Sequence, residues 1–214
     1  MYLTISRPDI TFAVTKLAQF MSDPRVQHLN AVHQILRYLK AAPGQGILFF
    51  SNSKLNLSIY TDADWGSCLN TRRSIIGYCT FLGDSLISWK SKKQPVVSRS
   101  STEVEYRAMA NAVYEVVWLT NLLRFMDITI DSAMFFCDNL SSIQLVSNLT
   151  FHERSKHIEI DCHFIREKVE IGFIKLVHFP TKHQLADILT KAISKPQFLF
   201  LMSKLETYNL YAPT

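Results

Sequence analysis

The hydrophobic period of this chain first changes at Ala42-Pro43-Gly44-Gln45-Gly46, and that change limits what either side can become. Before it, Ile10, Val14, Leu17 and Met21 recur at helical spacing, with Pro8 near the first turn. Leu29, Val32, Ile35, Leu36 and Leu39 make a second helical stripe. From Ile47 the period falls to two. Leu57, Ile59 and Thr61 alternate with Ser58, Tyr60 and Asp62, which predicts a strand that runs into an acid. Strands over Gly77–Leu82 and Leu86–Ser91 flank a Gly83-Asp84 turn and complete an antiparallel meander. A long helix follows from Ser101 to about Arg124, opened by Ser and Thr residues suited to capping. Next come an apolar strand at Ala133–Cys137, a short helix through Ile143 and Val146, and a longer helix from about His157 to Glu170. A strand at Phe173–His178 is ended by Pro180, and Thr181 and Gln184 have capping-box spacing for a last helix of the domain. Strands followed by alternating helices and strands predict an α/β domain. It spans 47–195, after a helical segment at 1–46 and before an aromatic, leucine-rich tail at 196–214 read as a closing helix.

Glu105 is the residue that the helical wheel singles out. At about 100° per residue, Met109, Ala112, Val116, Leu119 and Leu123 point the same way as Glu105, while Glu103, Arg107, Tyr114 and Asn121 fall opposite. A carboxylate on the buried stripe is expensive without a partner or a metal. A buried ion pair with one of the central basic residues is the competing reading. Glu103 is expected on the solvated face, paired with Arg107. Asp62 and Asp64 share strand parity, but taken alone they read better as a polar strand end leading into a turn. Asp138 closes an apolar strand and precedes Asn139; either acts as a helix cap or faces a ligand. Asp187 lies in the first turns of a late helix, where the helix dipole alone favours an acid.

Charge is unevenly spread. The chain carries 23 Lys+Arg against 18 Asp+Glu, a net +5, and residues 71–100 hold Arg72, Arg73, Lys90, Lys92, Lys93 and Arg99 against Asp84 alone. Such a stretch between candidate acids suits a phosphate backbone; a lysine-rich edge that discourages strand aggregation is the plainer alternative. Cys68, Cys79, Cys137 and Cys162 show no paired spacing, which fits reduced thiols rather than a disulfide framework. No stretch has transmembrane length and no signal peptide is legible, so an intracellular protein is expected, cytoplasmic or nuclear and without a membrane partner. His152, His157 and His163 flank Cys162 but lack the paired doublets of a zinc site.

Four segments in unbroken order carry a family resemblance: "YTDADW", "SSTEVEYRAMA", "FFCDN" and "FHERSKHIEIDCHFIREK…QLADILTKA". Together they resemble the ribonuclease H domain that closes the Pol polyprotein of Ty/copia-type LTR retrotransposons. "YLTISRPDITFAV" and "HLNAVHQILRYLK" resemble the thumb and connection region of the same family's reverse transcriptase. The resemblance implies a ribonuclease H-like mixed five-stranded sheet with flanking helices, preceded by a small helical reverse-transcriptase remnant. It implies hydrolysis of the RNA strand of RNA–DNA hybrids with two Mg²⁺ ions, Mn²⁺ substituting, held by Asp62, Glu105, Asp138 and Asp187. His178 matches the place of an accessory histidine, with His183 as rival. Arg72, Arg73, Lys92, Lys93, Arg99 and Asn139 are the expected contacts to nucleic acid. The Tyr-x-Asp-Asp motif of the polymerase is absent, so no DNA synthesis is expected, and the polymerase palm domain is a second expected partner. The alternative function is a retroelement remnant that binds nucleic acid without cleaving it.

Overall fold

Period-two alternation and helical stripes become elements close to where the sequence places them. The computed structural model describes residues 2–147 and 159–211. In chain order these form α1 (Pro8–Ala18), α2 (Val26–Ala41), β1 (Gln45–Ile47), β2 (Leu57–Asp64), β3 (Ile75–Leu82), β4 (Ser85–Lys93) and α3 (Ser101–Phe125). Then follow β5 (Ala133–Cys137), α4 (Leu140–Ser147), α5 (Glu159–Glu170), β6 (Ile174–His178), α6 (Asp187–Thr190), α7 (Lys195–Lys204) and β7 (Thr207–Asn209). The predicted start of the fifth helix at His157 lies outside the described residues, as do His152 and His157. No described helix is long and apolar enough to cross a membrane.

The five longer strands make one mixed sheet in the order β4-β3-β2-β5-β6, the α/β architecture expected. β2, β3 and β4 run antiparallel, whereas β5 is parallel to both β2 and β6. Each face of the sheet has its own core. On one, Leu57, Ile59 and Tyr78 meet Tyr106, Met109, Val113 and Val116 of α3, with Val146 of α4 and Ile165 of α5. On the other, Cys79, Phe81 and Leu86 meet Leu185, Ile188 and Leu189 around α6, and Leu201, Met202 and Leu205. Ile174, Phe135 and Leu57 are fully buried across neighbouring strands, so the sheet centre is dry on the α3 side.

Gly77 sets how closely α6 can approach. It pairs with Asp62 in register, and a Cβ there would sit 2.8 Å from Leu189 Cβ and 2.8 Å from Thr190 Cγ2. Only a residue without a side chain lets this short helix lie on the strand.

Three expectations are corrected. The Thr181–Gln184 spacing does not open the last helix: Thr181–His183 is a 3₁₀ turn, and Asp187 begins a separate four-residue helix. The side chain of Gln184, instead of capping, is buried and accepts the Ala186 N–H at 3.3 Å. Glu103 is not solvated but 2% exposed. It accepts Arg107 Nη2 at 3.0 Å and the Arg99 N–H at 2.7 Å, because the chain entering α3 folds back over that face. The tail is helical only as far as Lys204; Thr207–Asn209 then pairs antiparallel with Gln45–Ile47.

The amino-terminal helices differ from each other. α1 is joined to the sheet: Trp89 Nε1 donates to the Thr4 carbonyl at 2.8 Å and to Thr11 Oγ1 at 3.2 Å, and Lys93 Nζ donates to Gln19 Oε1 at 3.1 Å. At its start Arg7 and Tyr38 both bond the buried Asp9, at 2.7 Å each. α2 buries no residue, and Leu29, Val32 and Leu36 of its apolar stripe stay exposed.

Candidate functional site

An acid at the carboxyl end of a strand is where open α/β sheets face their ligands, and β2 and β5 are adjacent parallel strands. Asp62 lies near the end of β2 and Asp138 directly follows β5. α3 brings Glu105 in from one face of the sheet, and α6 brings Asp187 from the other. Asp62, Glu105 and Asp187 are buried, at 3%, 6% and 2% exposure, and Asp138 is half-buried. The four acids singled out in the sequence therefore converge from four separate segments, near enough for their charges to raise Asp62, Glu105 and Asp187.

Their immediate partners are unequal. Asp62 Oδ2 accepts the Thr190 hydroxyl and lies 3.4 Å from Lys191 Nζ. Lys191 Nζ is also 3.0 Å from Asp187 Oδ1, and Gln197 Nε2 donates to Asp187 Oδ2 at 3.4 Å. Glu105 has no such neighbour: its Oε2 is buried without a hydrogen-bond partner among the described residues. Glu105, Cys137 and Asp138 each present one donor atom, all within 4.8 Å of one another. Burial raises the Glu105 carboxyl well above its ordinary range, and the charges of Asp62 and Asp138 add to the effect. Burial also raises Asp62, against the opposing pull of Lys191 and Thr190. Asp187 rises to about 7, through burial first and the Asp62 charge second. Burial alone would lower Lys191, yet the two carboxylates outweigh it and raise the ammonium.

The arrangement is a pocket of negative charge in a low-dielectric setting, bonded to a lysine at Asp62 and Asp187, while Glu105 feels that lysine only at a distance. Such a set can hold divalent cations: carboxylate oxygens are hard donors, and a buried carboxylate oxygen without a hydrogen-bond donor is free to accept one. Cys137 Sγ accepts the Asn139 N–H at 3.4 Å, and burial raises its thiol to about 12, so it stands by as a neutral group.

Of the other predicted residues, Arg72 and Arg73 are exposed on the loop after β2, where Arg72 adopts a left-handed backbone with φ 52°. Lys92 and Lys93 pair across the sheet with Ile76 and Ile75, which pair in turn with Ala63 and Asp64. They thus lie level with the end of β2, two strands or about 10 Å away. Lys92 and Arg99 are exposed, while Lys93 is tied to Gln19. Asn139 does what its position also allowed and caps α4, its Oδ1 accepting the Ser142 N–H at 3.0 Å. His178 is exposed at the end of β6, in register with Cys137 and so beside the Asp138 edge. His183 instead lines a separate cleft of about 450 Å³ with Tyr60, Phe179 and Phe200. Thr190, Lys191, Gln197 and Cys137 were not among the residues predicted. For Thr190 and Lys191 the signal was present, since positions three and four after Asp187 share its side of a helical turn.

Known proteins resemble this chain over nearly its whole length. It is 45% identical over 205 residues to the retrovirus-related Pol polyprotein from transposon RE1 of Arabidopsis thaliana, a match that covers 95% of this chain and 14% of that protein. It is 43% identical over 198 residues to the corresponding polyprotein from transposon RE2 of the same plant, covering 92% of this chain and 14% of that protein. The chain thus spans about a seventh of the length of these curated relatives. No protein-family model matches it. Among solved structures, LC11-RNase H1, isolated from compost by a metagenomic approach, superposes with a TM-score of 0.49 at 18% identity, covering 64% of this chain and 93% of that one.

Proposed function

The chain belongs to the retrovirus-related Pol polyproteins of copia-type transposons, and from that premise we propose that its five-stranded domain is a ribonuclease H. The reaction is hydrolysis of the RNA strand of an RNA–DNA hybrid, with Asp62, Glu105, Asp138 and Asp187 as ligands of two Mg²⁺ ions, or of Mn²⁺ in their place. The observation that carries this reading is the convergence of four acids around a buried, unpartnered Glu105 oxygen. An ionised carboxylate so placed is costly unless a cation meets it. Hard oxygen donors match Mg²⁺, and the neutral thiol of Cys137 is the wrong donor for it. When bound, two such ions polarise the scissile phosphate and make an attacking water acidic.

The chain's own residues prepare that reaction. The Thr190 hydroxyl fixes the orientation of Asp62, and Gln197 does the same for Asp187. Arg72, Arg73, Lys92 and Arg99 hold phosphates beside the β2 end, a binding contribution that weakens as salt rises. Lys93 and Asn139 contribute less, because each is already bonded within the protein. Contacts to 2′-hydroxyls distinguish the RNA strand. His178, at the edge beside Asp138, is the accessory histidine in this reading, ahead of His183. The uncovered stripe of α2 is the surface for the polymerase palm domain.

Cleavage of an end-labelled RNA–DNA hybrid beside single-stranded RNA, in Mg²⁺, tests the proposal. Hybrid-only cleavage is expected, falling on the order of 10³-fold in Asp62→Asn and in Asp138→Asn, about 4 kcal/mol of transition-state stabilisation. Both variants should keep the wild-type far-ultraviolet circular dichroism. Cleavage retained in either variant removes that ligand from the assignment. Salt-dependent hybrid binding with no cleavage in Mg²⁺ or Mn²⁺ replaces the enzyme by a binding remnant.

A further inference from the structure

We infer that the Lys191 ammonium is a tethered cation: it occupies the Asp62–Asp187 half of the carboxylate cluster until a divalent ion displaces it, and so sets the metal affinity of the site. The inference rests on the ribonuclease H reading for the identity of the ligands. Its own basis is geometric. Lys191 Nζ reaches both carboxylates, at 3.4 Å and 3.0 Å, and among the described residues no other cation lies within 4 Å of either. The carboxylates are nearly sealed, with side-chain exposures of 4% for Asp62 and 3% for Asp187, whereas Lys191 keeps 34%. The charge is therefore inside while the stem leads out to solvent.

The root of the side chain is fixed. α6 is buried through Ile188, Leu189 and Thr190 and seats on Gly77, and the Lys191 N–H donates to the Asp187 carbonyl at 3.1 Å. The tip is free to leave, because a flexible four-carbon stem swings a compact ammonium several ångströms without moving the backbone. A divalent ion that takes Asp62 and Asp187 as ligands must replace that ammonium, as the two cations need the same oxygens. By linkage, whatever the ammonium gains from the carboxylates is subtracted from metal binding. The released ammonium then stands on the solvent side of the cluster, where the phosphates of a bound hybrid lie. Metal entry is thereby favoured when substrate is present to receive the displaced charge.

The test uses Mn²⁺ alone as the probe, with isothermal titration calorimetry at pH 8 on the full chain. Lys191→Met keeps the stem and removes the charge; it is expected to bind Mn²⁺ on the order of tenfold more tightly than wild type. Lys191→Arg, which keeps the charge, should bind close to wild type, and Asp62→Asn should bind far more weakly. In EDTA, Lys191→Met should melt below wild type, and saturating Mn²⁺ should close the gap. A lysine with a merely structural role would not produce tighter binding on its removal. If Lys191→Met binds equally or more weakly while Asp62→Asn loses binding, the tethered cation is refuted and the metal site stands. If neither wild type nor Lys191→Met takes up Mn²⁺ at millimolar concentration, both readings fall.

Discussion

The two halves of the carboxylate cluster are built on opposite faces of one sheet and are neutralised in opposite ways. On the α6 side, Asp62 and Asp187 share Lys191 and are steadied by Thr190 and Gln197. On the α3 side, Glu105 is equally buried, with an oxygen that has no partner among the described residues. One half bonds its own cation; the other bonds none among the described residues. The difference teaches that a cluster of like charges can be folded in advance if only part of it is left uncompensated. Proton uptake meets the remainder, since burial and the neighbouring acids hold Glu105 well above the usual carboxylate range.

Gly77→Ala attacks the α6 half alone and has the largest expected effect on stability. The new Cβ would meet Leu189 and Thr190 at 2.8 Å, an overpacking that costs about 1–3 kcal/mol. It should displace Thr190, Lys191 and Asp187 together, and lower hybrid cleavage on the order of 10- to 100-fold. Chemical denaturation and cleavage rates read both effects; a wild-type midpoint would mean that α6 is not seated as described.

Glu105→Gln attacks the other half and should move stability the opposite way. Removing the cost of ionising this buried acid raises the melting temperature in EDTA at pH 8 by a few degrees, about 1 kcal/mol for a domain of this size, while cleavage is lost. The gain depends on pH with a definite sign. An acid whose folded pKa is raised holds its proton longer in the native state, so wild-type stability falls as pH rises through that value. For Asp187 the window runs from its ordinary 3.8 to about 7. Metal-free wild type should therefore melt lower at pH 8 than at pH 5.5, and Glu105→Gln should narrow the difference. Parallel melting curves for the two proteins across that range would show that Glu105 does not carry its charge where the geometry puts it.

The smallest effect on stability belongs to a change outside both halves. Arg72→Ala with Arg73→Ala removes two exposed side chains, and stability should stay within about 0.5 kcal/mol of wild type. The hybrid KM should rise several-fold with kcat unchanged, and the dependence of affinity on salt should flatten by about two phosphate contacts. A fall in kcat instead would place these arginines at the reacting atoms.

Much of the site was legible because burial and periodicity are local. Glu105 could be read as buried from the wheel alone, since the stripe of Met109, Ala112 and Val116 is continuous. Asp138 was visible as an acid ending an apolar strand and Asp62 as one ending an alternating strand, but a helix cap or a polar strand end read as well or better until the resemblance decided both. Asp187 depended on family resemblance: a four-residue helix has no period to read. Glu103 was misread because a wheel ranks faces of a helix and knows nothing of the segment, here Arg99 and Ser100, that folds over the polar one. Lys191 lay next to the quoted motif, but its meaning required Asp62, 129 positions earlier in the chain, to be brought beside it. The pairing of β1 with β7 left no trace, as three residues cannot establish an alternation.

That last pairing has a mechanical meaning. Gln45 sits opposite Asn209, so the polypeptide enters and leaves the intervening 163 residues at one place, within about 5 Å. Tension applied at these two points would open the clasp from its outer pair inward, one pair at a time, before any load reached the five-stranded sheet. The short ladder acts as a fuse: a pulling experiment anchored at residues 45 and 209 should show a small first step and then a larger one. A single rupture would mean that the clasp and the sheet share the load.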